Sequence, residues 1–164
     1  MTARYVPYKD LLDDREIAIH FMPSGVVALD VDAPTEFYNG EDTGRLAMVK
    51  AVQELAAALS RKHGLGLWWL YETGNGLHII FQAQLHSFKA VEAVLKTAYN
   101  LPAWHECGGH AGICQDVQAC VLRVGCKPNR PFDLRPWYTN PPTSHMPAWV
   151  REHEEMLAQQ LPAK

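Results

Sequence analysis

Blocks of hydrophobic and polar positions along the chain predict strands and helices in turn. Residues 25–32 form a nearly uninterrupted β-branched run, which is typical of a strand buried on both faces. Pro34 ends this run, because proline cannot donate a hydrogen bond to a sheet. Residues 45–63 then carry apolar side chains at helical spacing. These are Met48, Val52, Leu55 and Leu59.

The stretch after this helix predicts a β-hairpin. Residues 67–71 and 77–81 are two short apolar runs rich in aromatic and β-branched residues. The intervening residues 72–76 contain two glycines, which suit a tight connection between antiparallel strands.

The remaining segments predict two more helices and one more strand. Ser87 can cap a helix that closes near residue 100. A strand is predicted at residues 117–124 and an amphipathic helix at residues 147–160. Near the beginning of the chain, a short helix is predicted around residues 11–19.

The order strand, helix, two strands, helix, strand predicts an α+β fold. It is the order of an RRM-like or ferredoxin-like antiparallel sheet with helices packed on one face. The opposite face is then expected to stay free for a site. The length of 164 residues predicts a single domain over residues 1–164.

Charge and hydropathy narrow the function classes. The formal net charge of -3 argues against a protein that coats duplex DNA by electrostatics alone. No apolar stretch is long enough for a membrane span, and the beginning of the chain lacks the pattern of a signal peptide. We therefore expect a cytoplasmic protein with no membrane partner and reduced cysteines.

Asp30 and Asp32 are the first candidate chemical residues. They are two positions apart at the end of a strand, so their side chains are predicted to share one face, with Cα atoms about 6.5 Å apart. Paired carboxylates suit Mg²⁺ or Mn²⁺, which prefer oxygen ligands. The alternative is a polar strand end exposed to solvent.

A second candidate is the glycine-containing segment that leads into His78. Its glycines allow close approach of the backbone to a ligand, and its threonine hydroxyl adds a donor. This pattern is typical of a triphosphate-binding loop. The alternative is an ordinary hairpin turn followed by a surface histidine. The segment comprises Thr73, Gly74, Asn75, Gly76, Leu77 and His78.

Together these two elements resemble the first two motifs of the archaeo-eukaryotic primase superfamily. Residues 29–32 read hydrophobic-Asp-hydrophobic-Asp, a helix follows, and residues 73–78 read Thr-Gly-x-Gly-x-His. Asp116, with Arg123 and Lys127 downstream, is similar to the third motif, although Asp133 competes with it. The resemblance covers about residues 25–130 and implies an RRM-like catalytic sheet.

The resemblance also implies roles for these residues. Acidic residues would hold a pair of Mg²⁺ or Mn²⁺ ions, and neighbouring groups would bind the nucleotide phosphates. The implied metal ligands are Asp30, Asp32 and Asp116, which with His78 form the catalytic set. The implied nucleotide-binding residues are Thr73, Gly74, Asn75, Gly76, His78, Arg123 and Lys127.

A separate cluster of histidine and cysteine residues offers ligands for Zn²⁺. Imidazole and thiolate are the ligands that zinc prefers, but the spacing fits no standard zinc finger. The alternative is that the cysteines are small buried residues. The cluster comprises His105, Cys107, His110 and Cys114.

The function implied by the resemblance is that of a DNA primase or primase-polymerase. Such an enzyme makes primers, or extends nucleic acid, from nucleoside triphosphates on a single-stranded DNA template during replication. A helicase or another replication subunit is an expected partner. The alternatives are a replication subunit that binds nucleotides or nucleic acid without polymerising, and a metal-dependent nucleotide hydrolase.

Overall fold

A computed structural model describes residues 3–7, 15–32, 42–72, 76–100, 108–127, 135–138 and 145–164. These residues form seven strands and four helices. The strands are β1 (Arg4–Pro7), β2 (Glu16–Phe21), β3 (Val26–Asp32), β4 (Trp68–Glu72), β5 (Gly76–Gln84), β6 (Val121–Arg123) and β7 (Arg135–Tyr138). The helices are α1 (Asp42–His63), α2 (Phe88–Tyr99), α3 (Gly108–Val117) and α4 (Ala148–Gln159).

The strands form two antiparallel sheets, so the α+β class is confirmed. The larger sheet has the order β3-β5-β4-β7, and the smaller has the order β1-β2-β6. The predicted final strand therefore does not pair with β3. Instead, β6 pairs with β2, with Arg123 opposite Ile19.

The prediction of a helix around residues 11–19 is wrong for residues 16–19, which the structure describes as strand. Residues 16–21 form β2, which pairs with β1 on one side and β6 on the other. Its backbone hydrogen bonds are thus made in a sheet, and tertiary pairing overrides the weak helical pattern. Residues 8–14 lie outside the described part of the chain.

The other predicted elements are confirmed, with one displaced boundary. The first long helix, the hairpin strands, the second helix and the closing helix all form where the sequence predicts them. Ser87 caps α2, since its Oγ accepts a hydrogen bond from the N–H of Ala90 at 3.3 Å. The strand predicted to begin at residue 117 begins at Val121, because α3 continues through Val117.

Both faces of the larger sheet carry packed helices. Side chains alternate along β4, so Trp68 and Tyr71 lie on opposite faces. Trp68 Nε1 donates to Gln53 of α1 at 2.7 Å, and Tyr71 Oη donates to Glu154 of α4 at 2.8 Å. We call these the α1 face and the α4 face. The prediction of an open second face is wrong around Tyr71, where α4 covers it.

The described helices do not meet the length and hydropathy needed to cross a membrane. The longest, α1, has 22 residues, but charged residues are spread along it. Burial instead follows one side of each helix. In α4 the buried positions are Val150, His153, Met156 and Leu157, which lie along one side of the helix.

Candidate functional site

Asp30 and His78, one from each of the first two motifs, are direct neighbours across the sheet. They are opposite each other in the pairing of β3 with β5. The N–H of Asp30 points away from β5 and donates to Tyr99 Oη at 3.2 Å. Asp30 and His78 are therefore a non-hydrogen-bonded pair, which is the type of antiparallel pair in which the side chains lie closest. Asp30 Oδ1 lies 3.9 Å from His78 Nε2. The carboxylate and imidazole therefore form one site on the α4 face.

The pairing also brings the ends of the two motifs together. Asp32 lies opposite Gly76, two positions beyond the pair of Asp30 with His78. Gly76 is buried where β5 begins. The predicted nucleotide-binding residues Thr73, Gly74 and Asn75 lie outside the described part of the chain.

His78 is a core residue and not a surface histidine. It is 2% exposed, and its Nδ1 lies 3.3 Å from Nε2 of His153 on α4. Burial, with a smaller contribution from the positive charge of Arg123, lowers the pKa of His78 to about 3. His78 is therefore neutral at pH 7, with its Nε2 turned toward Asp30.

His78 is the last of three buried histidines in contact with one another. Nδ1 of His153 lies 2.9 Å from Nδ1 of His20 on β2, and these two rings lie end to end, with centroids 5.2 Å apart and an angle of 24° between their planes. At the far end, Nε2 of His20 lies 3.9 Å from Glu152 Oε2. Burial lowers the pKa of His20 to about 4 and that of His153 well below its ordinary value. We call His20, His153 and His78 the histidine chain.

Sequence reasoning did not identify His20 and His153 as part of the site. A signal was present, because His153 falls between Val150 and Met156 on the buried stripe of α4. His20 likewise follows the buried Ala18 at the two-residue spacing of a strand. Histidines at core positions of two separate elements need polar partners, and here they are partners of each other.

A hydroxyl links Asp30 to the predicted zinc cluster. Tyr99 Oη, which accepts from the Asp30 N–H, lies 2.6 Å from His110 Nδ1 on α3. The other ring nitrogen of His110 donates to the carbonyl oxygen of Val121 at 2.8 Å. Helices α2 and α3 are thereby tied to the edge of the sheet beside Asp30.

His110 and Cys114, two of the four predicted zinc ligands, are in contact. Cys114 Sγ lies 3.4 Å from His110 Nε2, and both Cys114 and Cys120 are buried. A hydrogen bond from the Cys120 thiol and the neighbouring His110 lower the pKa of Cys114. Burial by itself lowers the pKa of His110, but the bond to Cys114 and its negative charge raise it overall. His105 and Cys107 lie outside the described residues.

The third-motif residues lie in different surroundings. Asp116 is exposed in the last turn of α3, so it lies on a helix and not directly before a strand. Arg123 is the last residue of β6, and its Nη1 donates to the Gly125 carbonyl oxygen at 2.6 Å. Its positive charge also contributes to the lowered pKa of His78. Lys127 is partly buried, two residues beyond Gly125. The charge of Arg123 thus contributes to lowering the pKa of His78, whereas Asp116 is exposed on α3.

Among the candidate metal ligands whose side chains the structure describes, Asp30 suits a hard cation. Its side chain is 36% exposed, and its carboxylate oxygens are the ligands that Mg²⁺ prefers. Within the described ranges, no group of three or more His, Cys, Asp or Glu residues is arranged to hold a metal ion.

Comparisons with protein-family models, curated proteins and solved structures found no match to this chain. The function of the protein is therefore inferred from the sequence motifs and from the positions of their residues in the structure.

Proposed function

We propose that this protein is a metal-dependent nucleotidyltransferase of the archaeo-eukaryotic primase type. It would make primers, or extend nucleic acid, from nucleoside triphosphates on single-stranded DNA. One observation carries the proposal: Asp30 and His78 are 48 residues apart in the sequence yet lie opposite each other, with Oδ1 and Nε2 3.9 Å apart.

The proposed arrangement of the catalytic sheet is RRM-like. The elements β3, α1, β4, β5 and α2 occur in that order, and the strands lie side by side as β3-β5-β4. Strand β6 also contacts β3. A final strand beside the first is what an RRM-like fold requires. This contact supports the proposal even though β6 pairs with β2.

In the proposed reaction, Asp30 and Asp32 would hold Mg²⁺ or Mn²⁺, with Asp116 of α3 as a further ligand. When bound, the ion supplies charge that favours deprotonation of a 3′-hydroxyl and binding of the triphosphate. Gly76 allows the chain to approach a phosphate closely. Arg123 adds positive charge where negative charge develops on the departing pyrophosphate.

In this proposal His78 acts from its position beside Asp30 on the neighbouring strand. Because its Nδ1 is occupied by His153, only Nε2 is directed toward the site. Any contact of His78 with a nucleotide phosphate is therefore made through Nε2, beside the carboxylate. This position suits a residue that orients Asp30 and contacts the substrate at one atom.

We also propose that His105, Cys107, His110 and Cys114 bind Zn²⁺. Cys114 Sγ and His110 Nε2 are 3.4 Å apart, close to the separation of two ligands on one tetrahedral zinc ion, and zinc binding through this nitrogen would replace its hydrogen bond to the Val121 carbonyl oxygen. Metal analysis of the purified protein tests it. A Cys114→Ser variant that keeps the full zinc content of the wild type would rule this site out.

The main test is synthesis from labelled nucleoside triphosphates with Mg²⁺ or Mn²⁺ on a single-stranded DNA template. We expect oligomer products from the wild type, and a loss of at least about 100-fold in Asp30→Asn and Asp32→Asn. Glu54→Gln, which removes an exposed carboxylate on α1, is the matched control and should keep full activity. Undiminished synthesis by Asp30→Asn would refute the proposal.

A second candidate is a subunit that binds nucleotides or single-stranded DNA without polymerising. The observation that favours it is the position of α4, which covers His78 and Tyr71 on the α4 face. A helicase or another replication subunit would then be its partner. In the same incubation, binding without products supports this candidate, whereas release of nucleoside diphosphates or monophosphates indicates a metal-dependent hydrolase.

A further inference from the structure

Each ring nitrogen of the histidine chain faces one identified neighbour. From the exposed end inward, the sequence of contacts is Asp30, His78, His153, His20 and Glu152. The two contacts between rings are 3.3 Å and 2.9 Å, within hydrogen-bond distance. The two outer ring nitrogens each lie 3.9 Å from a carboxylate oxygen, beyond hydrogen-bond distance, and among the described residues His20 Nε2 is buried without a hydrogen-bond partner. The chain thus lies between two carboxylates, with hydrogen bonds only between its rings.

The number of hydrogens in the chain is fixed by burial. All three rings are almost fully buried, which disfavours their charged forms, so at pH 7 each ring carries one N–H. Each gap between two rings needs one hydrogen, because two lone pairs or two N–H groups facing each other would repel. Two of the three N–H groups are therefore used inside the chain. The third lies at one end, facing either Asp30 or Glu152.

Only two arrangements meet this requirement. In one, His78 and His153 both carry hydrogen on Nε2 and His20 carries it on Nδ1, so an N–H faces Asp30. In the other, His78 and His153 carry hydrogen on Nδ1 and His20 on Nε2, so a lone pair faces Asp30. The tautomer of one ring therefore determines the tautomers of the other two.

We propose that the histidine chain is a single tautomeric unit and that His153 is a positioning residue for the Asp30 site. His153 sets whether Nε2 of His78 presents an N–H or a lone pair to Asp30. This inference rests on the proposed function for its catalytic consequence. An N–H would orient the carboxylate that takes the cation, whereas a lone pair would be available to the cation itself. The geometry of the rings stands independently of that consequence.

The first test needs no variant. Nitrogen-15 NMR of the histidine side chains in the wild-type protein at pH 7 assigns the tautomer of each ring. We expect His78 and His153 to carry hydrogen on the same named nitrogen, and His20 on the opposite one. Either of the two arrangements supports the inference. Hydrogen on different named nitrogens in His78 and His153 overturns it.

The second test removes the central ring. His153→Leu fills similar space without a polar atom, and His153→Gln keeps one donor and one acceptor. We expect the leucine variant to change the tautomer populations of His78 and to lower kcat for nucleotide incorporation by about 10-fold or more, with a smaller effect on KM. The glutamine variant should recover most of that loss. His86→Leu, at an exposed histidine outside the chain, should change neither property.

The two proposals fail in different ways. Unchanged His78 signals and an unchanged kcat in His153→Leu overturn the positioning role, whatever the enzyme makes. Absence of any synthesis by the wild type overturns the proposed function, while the wild-type tautomers still decide whether the chain is one unit. If the leucine variant does not fold, the wild-type spectrum remains the deciding measurement.

Discussion

Acidification from pH 7 to pH 5 should destabilise this protein through the histidine chain. Burial lowers the pKa of His20 to about 4 and of His78 to about 3, and it lowers that of His153 well below 6.5. In the unfolded chain these rings take up protons near pH 6.5, whereas in the folded protein they stay neutral. Their contribution is thus fully present above pH 6.5 and is lost as the pH falls toward the folded pKa values.

The magnitude follows from the proton uptake of the unfolded chain. At pH 5 a histidine that stays neutral when folded costs about 2 kcal/mol relative to pH 7, so three rings cost about 6 kcal/mol. His110 acts in the opposite direction, because its raised pKa favours the folded state in acid. The histidine chain by itself is therefore expected to cost about 6 kcal/mol, most of the stability of an ordinary domain, and the lowered pKa of Cys114 acts in the same direction as the chain.

Urea unfolding at pH 7, 6, 5.5 and 5, followed by circular dichroism, measures this dependence. His153→Leu removes one of the three rings, so its loss between pH 7 and pH 5 should be smaller by about 2 kcal/mol. At pH 7 the variant should be less stable than the wild type, since two buried ring nitrogens lose their partner. The difference in the free energy of unfolding between the wild type and His153→Leu should be smaller at pH 5, or change sign.

His86→Gln is the control, because His86 is exposed and outside the chain. It should follow the wild-type dependence on pH. A wild-type free energy of unfolding that stays constant between pH 7 and pH 5 would refute the reasoning. So would an equal pH dependence in the wild type and His153→Leu, which would mean that His153 is not held neutral by burial.

Three further predictions concern stability at pH 7, each measured as a change in the free energy of unfolding in urea. Gly25→Ala should cost about 3 kcal/mol, because φ is +91° and an added Cβ would collide with the carbonyl oxygen of Leu85. Gly64→Ala is the comparison: φ is +66°, but an added Cβ would lie in open space, so the loss should be about 1 kcal/mol. Equal losses would contradict the collision. Tyr99→Phe removes a hydroxyl that accepts from the Asp30 N–H and should cost about 1–3 kcal/mol; no loss would mean that the bond contributes nothing. Ser87→Ala should cost about 1 kcal/mol, and Ser87→Asp, which can still cap the helix, should cost less.

The local pattern of the chain was sufficient to predict the elements with strong periodicity. The helical spacing of Met48, Val52, Leu55 and Leu59 is confirmed by α1, in which all four are buried. The glycine-flanked hairpin is confirmed in the pairing of β4 with β5. These elements depend on interactions within a few residues, so the sequence specifies them directly.

Elements that depend on distant partners were less predictable. Residues 16–21 form β2 because β1 and β6 pair with them, and neither partner is visible from the local pattern. Helix α3 ends at Val117, and a turn with Gln118 at φ +58° precedes β6. The boundary was displaced because glutamine gives no clear signal for such a turn.

Sequence alone determined the candidate residues Asp30 and His78, because a carboxylate at the end of an apolar strand and a histidine after glycines stand out locally. Their contact, and the partners behind them, were decided by the tertiary structure. The register of β3 with β5 sets Asp30 opposite His78, and the packing of α4 on the sheet brings His153 between His78 and His20. Contacts between residues 75 and 133 positions apart arise only when separate elements pack, and burial then fixes the charge of each ring.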